Sequence, residues 1–115
     1  MTEKKITEVL DLEYLNSIIE DDKEFEKELF KIFIENSLKN IIKLEEAIAN
    51  NDVNSWYMAS HGFKGASSSI GAFELARNLD LAQKNLEETP ERKKQMIIKI
   101  KEELDHVLHF LKLRI

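Results

Sequence analysis

Residues 22–49 read DKEFEKELFKIFIENSLKNIIKLEEAIA, and within them Phe25, Leu29, Phe30, Phe33, Ile34, Leu38, Ile41, Leu44 and Ile48 recur at spacings of three and four. That period sets them along one side of an α-helix. The helix starts at Asp21 or Asp22, either of which can cap it, and runs to about Ala49. Its apolar face is too broad for one partner, so the helix is expected to touch more than one neighbour.

The same reading extends outward in both directions. On the N-terminal side, Asp11 can cap a short helix reaching about Glu20 and carrying Leu12, Leu15, Ile18 and Ile19, preceded by a leader over residues 1–10 that is expected to fray. On the C-terminal side, Asn50-Asn51-Asp52 supplies a turn and a new cap, and a further helix runs through about Ser69. Gly71 marks the next joint, where a helix can end in a left-handed residue. A helix over roughly 72–88 carries Leu75, Leu79, Ala82 and Leu86. Thr89 then caps the last helix, with Pro90 at its first position, where a missing N–H costs nothing. The stripe Ile97, Ile100, Leu104, Val107, Leu108, Leu111 and Ile115 carries that helix to the end of the chain. Short connections force sequential helices to be antiparallel neighbours. The expected fold is all-α: an antiparallel up-and-down four-helix bundle with a short extra N-terminal helix, in a single domain over residues 1–115.

Composition narrows the function. The 115 residues include 43% hydrophobic side chains, enough for a core without staples, and no cysteine, which removes thiolate catalysis, disulfides and iron–sulfur ligation. A formal charge of −5 opposes binding to a phosphate backbone, so nucleic acid is not an expected partner. No run approaches the roughly 18 to 20 apolar residues of a membrane span, and no apolar signal core follows Met1-Thr2-Glu3-Lys4-Lys5. A cytoplasmic monomer with no membrane partner is expected.

Chemistry concentrates in Ser60-His61-Gly62-Phe63-Lys64-Gly65-Ala66-Ser67-Ser68-Ser69-Ile70-Gly71. On a helical wheel with Trp56 at zero, Val53, Ser60, Phe63, Ser67 and Ile70 fall within about 60°, whereas His61 lies at roughly 140°. His61 is therefore expected to face away from the core. Lys64 follows one turn on, and Gly62 and Gly65 strip side chains from around the ring. Each mid-helix glycine costs about 1 kcal/mol relative to alanine, so stability gives no reason for them. Access for another macromolecule does.

This segment is similar to the signature of histidine-containing phosphotransfer (HPt) domains: a histidine, lysine at +3, glycine at +4, small residues, and glycine at +10, filled here by His61, Lys64, Gly65 and Gly71. A polar residue is frequent at +22 in that family, and Gln83 stands there. The long preceding helix with Phe25 and Phe33, and the Asn-Asn-Asp turn, also resemble the family, so the likeness covers nearly the whole chain. Gly62 departs from the pattern where threonine or a larger residue is common, and Asn78 where leucine is common; the first loosens the helix beside His61 and the second puts the register of the next helix in question.

The resemblance implies a phosphorelay intermediate that accepts a phosphoryl group on His61 from a receiver-domain aspartyl phosphate and passes it to another receiver aspartate. Imidazole, with a reference pKa of about 6.5, is largely neutral at cellular pH and can attack phosphorus without prior deprotonation. Lys64 would neutralise phosphoryl charge, and Gln83 would orient the ring or bond a phosphoryl oxygen. No Gly-rich phosphate loop followed by Lys-Ser/Thr is present, so the chain is expected to be a carrier without kinase activity and without a cofactor of its own; Mg²⁺ would belong to the receiver. Expected partners are response-regulator receivers and, further, a hybrid sensor histidine kinase. The expected docking surface comprises Gly62, Gly65, Met58, Tyr57, Ser68, Ile18 and Ile19. Because the chain starts at Met1 and holds little beyond one bundle, a free-standing shuttle is favoured over a kinase fragment.

Other patterns have plainer explanations. His106 and His109 near Glu102 and Asp105 have a chelating spacing, but a charged edge of an amphipathic helix accounts for them, and no metal site is expected. Trp56, Phe63 and Phe73 are read as core rather than as an aromatic cofactor box. Glu45-Glu46 and Asp21-Asp22 are read as surface or caps rather than catalytic pairs. The alternative function is a non-catalytic helical adaptor, a degenerate HPt bundle that binds partners without carrying phosphate.

Overall fold

A computed structural model describes residues 4–114, and every element in it is helical. The helices are α1 (Ile6–Val9), α2 (Leu12–Ile19), α3 (Lys23–Ala49), α4 (Val53–Ser69), α5 (Phe73–Lys84) and α6 (Pro90–Arg114). Helices α3 to α6 form the bundle: α4 packs on α3 and α5, and α6 closes the ring against α3 and α5. At 1.5 Å per residue a 27-residue helix is about 40 Å long, so α3 alone accounts for most of the molecule's 43 Å extent.

The caps fall where the acidic and hydroxyl residues predict. Asp11, Asp22 and Asp52 accept from the backbone N–H groups of Tyr14, Phe25 and Ser55, each at 3.0 Å. Thr89 Oγ1 accepts from Arg92 N at 3.2 Å. Each such cap satisfies an N–H that the first helical turn leaves unpaired, a contribution of about 1 kcal/mol.

The N-terminal end departs from expectation. Residues 6–9 form a helical turn, and Val9 and Leu10 are buried. The anchor is the joint at Gly71, whose carbonyl accepts from Asp11 N at 2.9 Å. Gly71 has φ +79°, and a Cβ there would stand 3.0 Å from Asp11 O, so both the backbone conformation and the docking of the N-terminal segment require glycine. The part of the leader before Lys4, and the stripe position Ile115, lie outside the described residues.

Three further expectations are corrected. The α3 face is narrower than the sequence suggests: Phe30, Phe33, Ile41 and Leu44 are buried, Leu29 and Ile48 are partly so, and Phe25 and Leu38 are exposed because they lie off the stripe that meets neighbouring helices. That stripe also includes Glu26, whose carboxylate accepts from Arg114 at 2.9 Å. Helix α5 stops at Lys84 instead of Glu88, where Asn85 turns its side-chain N–H to Leu81 O at 2.6 Å and its backbone N–H to Ala82 O at 3.2 Å. Phe73 is exposed and packs on Tyr14 with ring centroids 5.3 Å apart, while Trp56 and Phe63 are core residues.

Candidate functional site

Helix α4 turns two different sides to its surroundings. Trp56, Ser60, Phe63, Ser67 and Ile70 are buried, as the wheel predicts, and Val53 at the helix start is half-buried. Ser60 and Ser67 hold their hydroxyls on Trp56 O and Phe63 O, at 2.6 and 2.8 Å, so these small residues satisfy their polar atoms inside their own helix. Trp56 fastens α4 to α5 by donating from Nε1 to Ala82 O at 2.8 Å.

On the opposite side His61 is exposed. Its Nδ1 lies 3.2 Å from Gln83 Oε1 on α5. An amide oxygen only accepts, so with this assignment Nδ1 carries the proton, and Nε2 on the far side of the ring keeps its lone pair. One turn back, Tyr57 stacks on the imidazole, with centroids 5.7 Å apart and planes 8° from parallel. These two neighbours fix the ring from the side and from behind.

Lys64 is not free beside the ring. Its Nζ lies 3.2 Å from Asp80 Oδ1 on α5, and the other carboxylate oxygen of Asp80 takes Lys84 at 2.7 Å. The Lys84 and Lys64 ammoniums together hold the Asp80 carboxyl below the usual carboxylate range, Lys84 having the larger effect. Asp80, one turn before Gln83 on α5, is thus matched by two cations.

A methyl group built at Gly62 or Gly65 meets nothing within 4 Å. Neither glycine is required by packing inside this chain, and the space beside His61 is open. Met58, 62% exposed, and Gly62 border a shallow groove between α3 and α4 that also includes Asn40, Lys43 and Glu46. Tyr57 and Ser68 are half-buried.

The structure brings His61, Gln83 and Tyr57 together where α4 meets α5 and sets Lys64 on Asp80 at the next turn, whereas Met58 and Gly62 border the α3–α4 groove. The two isoleucines of α2 differ from expectation. Ile19 is only 4% exposed and belongs to the core, and Ile18 is half-buried, because α2 turns Leu15 and Ile19, one turn apart, into the bundle. Asn78 leaves the register of α5 undisturbed: it is half-buried, donates to Glu74 O at 3.1 Å, and leaves Leu75, Leu79 and Ala82 in the core.

Asp80 is the site residue that sequence reasoning missed. The signal was available in the antiparallel pairing of α4 and α5: if His61 faces Gln83, a step of one turn forward on α4 reaches Lys64 and one turn back on α5 reaches Asp80. The remaining candidates stay structural. Asp22 is a cap, Glu45 pairs with Lys101 at 2.9 Å, and His109 packs edge-on against Phe110 at the exposed side of α6. Among the described residues, no group of three or more His, Cys, Asp or Glu side chains converges as a metal site, and no helix is long and apolar enough to cross a membrane.

Comparison with family models and with curated proteins gives no match. Among solved structures, the chain is similar to histidine-containing phosphotransfer protein B (HptB) from Pseudomonas aeruginosa PAO1, with a TM-score of 0.82, 26% sequence identity, and coverage of 90% of this chain and 91% of that one.

Proposed function

We propose, from the premise that this chain belongs to the histidine-containing phosphotransfer family, that it relays a phosphoryl group through Nε2 of His61 between receiver-domain aspartates. The observation that carries the proposal is the bond between His61 Nδ1 and Gln83 Oε1 on an otherwise open helix face. It supports a ring with a fixed tautomer and an outward lone pair.

In the forward step that lone pair attacks the phosphorus of the aspartyl phosphate. The Nε2–P bond forms as the P–O bond to the receiver's aspartate breaks, and the electron pair leaves on the aspartate carboxylate. No proton has to move, because Nδ1 keeps its hydrogen. The ring becomes formally cationic, and Gln83 Oε1 lies where it can stabilise the N–H that bears that charge. Reversal with a second receiver returns the imidazole to its starting state. Catalysis is then mostly positional, with the metal expected on the receiver.

Transfer from a phosphorylated receiver tests the proposal. Purified receivers from the same organism, labelled on their aspartate, are mixed with the protein, and acid-labile, alkali-stable label is followed on this chain. Label is expected with at least one receiver; absence with all of them contradicts the relay.

The open space at Gly65 gives a second expectation. A Cβ at Gly65 meets nothing within 4 Å, and Gly65→Leu removes a helix-interior glycine, so the fold is expected to gain about 0.5 to 1 kcal/mol in urea denaturation. Transfer from the receiver falls on the order of 10²-fold through misplacement of the reacting groups. Phosphorylation by phosphoramidate, which needs no docking surface, stays near the wild-type rate.

A further inference from the structure

Lys64 and Asp80 form the rung of the α4–α5 interface next to the one made by His61 and Gln83. Lys64, one helical turn after His61, is therefore already paired with a carboxylate. Asp80 also holds Lys84, and the Lys84 contact is shorter, 2.7 Å against 3.2 Å. If Lys64 left, Asp80 would keep its nearer counter-ion.

Stability gives little reason for this arrangement. The Lys64 and Asp80 side chains are 29% and 30% exposed and that of Lys84 is 68% exposed, and ion pairs so open to water contribute little to folding. Charge gives a reason. A phosphoryl group carries a charge of about −1.5 to −2, so it attracts Lys64 more strongly than the single charge of Asp80, which also pairs with Lys84.

We propose that Asp80 is a positioning residue, the resting counter-ion of Lys64, which holds that lysine beside His61 and competes with the phosphoryl group for it. The inference rests on His61 being the phosphoryl carrier. In the resting protein Lys64 sits on Asp80. On phosphorylation it turns to the phosphoryl oxygens, and Asp80 stays with Lys84. Because part of Lys64's attraction is offset by leaving Asp80, phosphohistidine is less stable than a free lysine would make it. The group is therefore more readily passed on.

A double-mutant cycle decides the matter. Wild type, Asp80→Asn, Lys64→Ala and the double variant are each brought to equilibrium with one phosphorylated receiver, and the ratio of label on this chain to label on the receiver is measured. Asp80→Asn is expected to shift that ratio toward this chain by roughly two- to tenfold, the scale of coupling between groups in direct contact. Lys64→Ala shifts it toward the receiver, and adding Asp80→Asn to Lys64→Ala changes nothing further. An Asp80→Asn ratio equal to wild type, a shift toward the receiver, or the same shift in both backgrounds would overturn the role given to Asp80 while leaving the relay intact. Failure of wild type to take label would instead overturn the relay, and this inference with it.

Discussion

His61→Gln is expected to keep the fold and lose all receiver-derived label. His61 is exposed and makes one side-chain hydrogen bond, to Gln83, so its replacement by a polar residue of similar reach changes stability by no more than about 0.5 kcal/mol. Chemistry responds differently. Glutamine has no ring nitrogen with a lone pair, so no N–P bond can form at this position. The chain's other histidines, half-buried His106 and exposed His109, lie on α6 and provide an internal control for nonspecific phosphorylation. Circular dichroism melts of the two proteins should superimpose, and acid-labile label should fall to background in the variant. Residual label above background would move the carrier to another residue.

Trp56→Ala is expected to have the largest effect on stability of any single substitution in α4. The indole is fully buried, donates to Ala82 O at 2.8 Å, and lies under the Lys93 ammonium at 5.1 Å from the ring centroid. Removing it opens a cavity between the two helices that carry the site and takes away the donor to a buried carbonyl. A buried tryptophan reduced to alanine costs about 3 to 5 kcal/mol, against a total of about 5 to 15 kcal/mol for an ordinary domain. Trp56→Phe keeps an aromatic ring and loses the N–H, and should cost less, about 1 to 3 kcal/mol for the orphaned carbonyl and the smaller ring. Urea denaturation of the three proteins measures the order. A Trp56→Ala loss below 1 kcal/mol would mean that this side chain does not fasten α4 to α5.

These two residues mark what the sequence made legible. The wheel that put Trp56 inward and His61 outward needed only the helical period, and both placements hold in the structure. Caps at Asp11, Asp22 and Asp52 were readable because a side-chain acceptor before a helical run has few other uses. What escaped depends on contacts between segments far apart in the chain. Val9 and Leu10 are buried because the N-terminal segment docks at Gly71, which no local pattern announces. Ile19 looked available because a two-turn helix has too few residues to reveal which side faces the bundle. Glu26 and Glu103, on which the sequence offers no local signal, are each buried and paired with a cation from the other end of the chain, Arg114 and Lys4. At the site, the motif supplied His61, Lys64 and Gln83. Asp80, which no motif position names, follows only from the register between α4 and α5.

The ring nitrogen that bears the phosphoryl group tests the account most directly. With His61 uniformly labelled in ¹⁵N, NMR spectra of the phosphorylated protein distinguish an Nε2 adduct from an Nδ1 adduct by which nitrogen couples to phosphorus. Coupling is expected at Nε2 of His61, with Nδ1 still protonated and bonded to Gln83. Coupling at Nδ1, or phosphorus on any other residue, would contradict it.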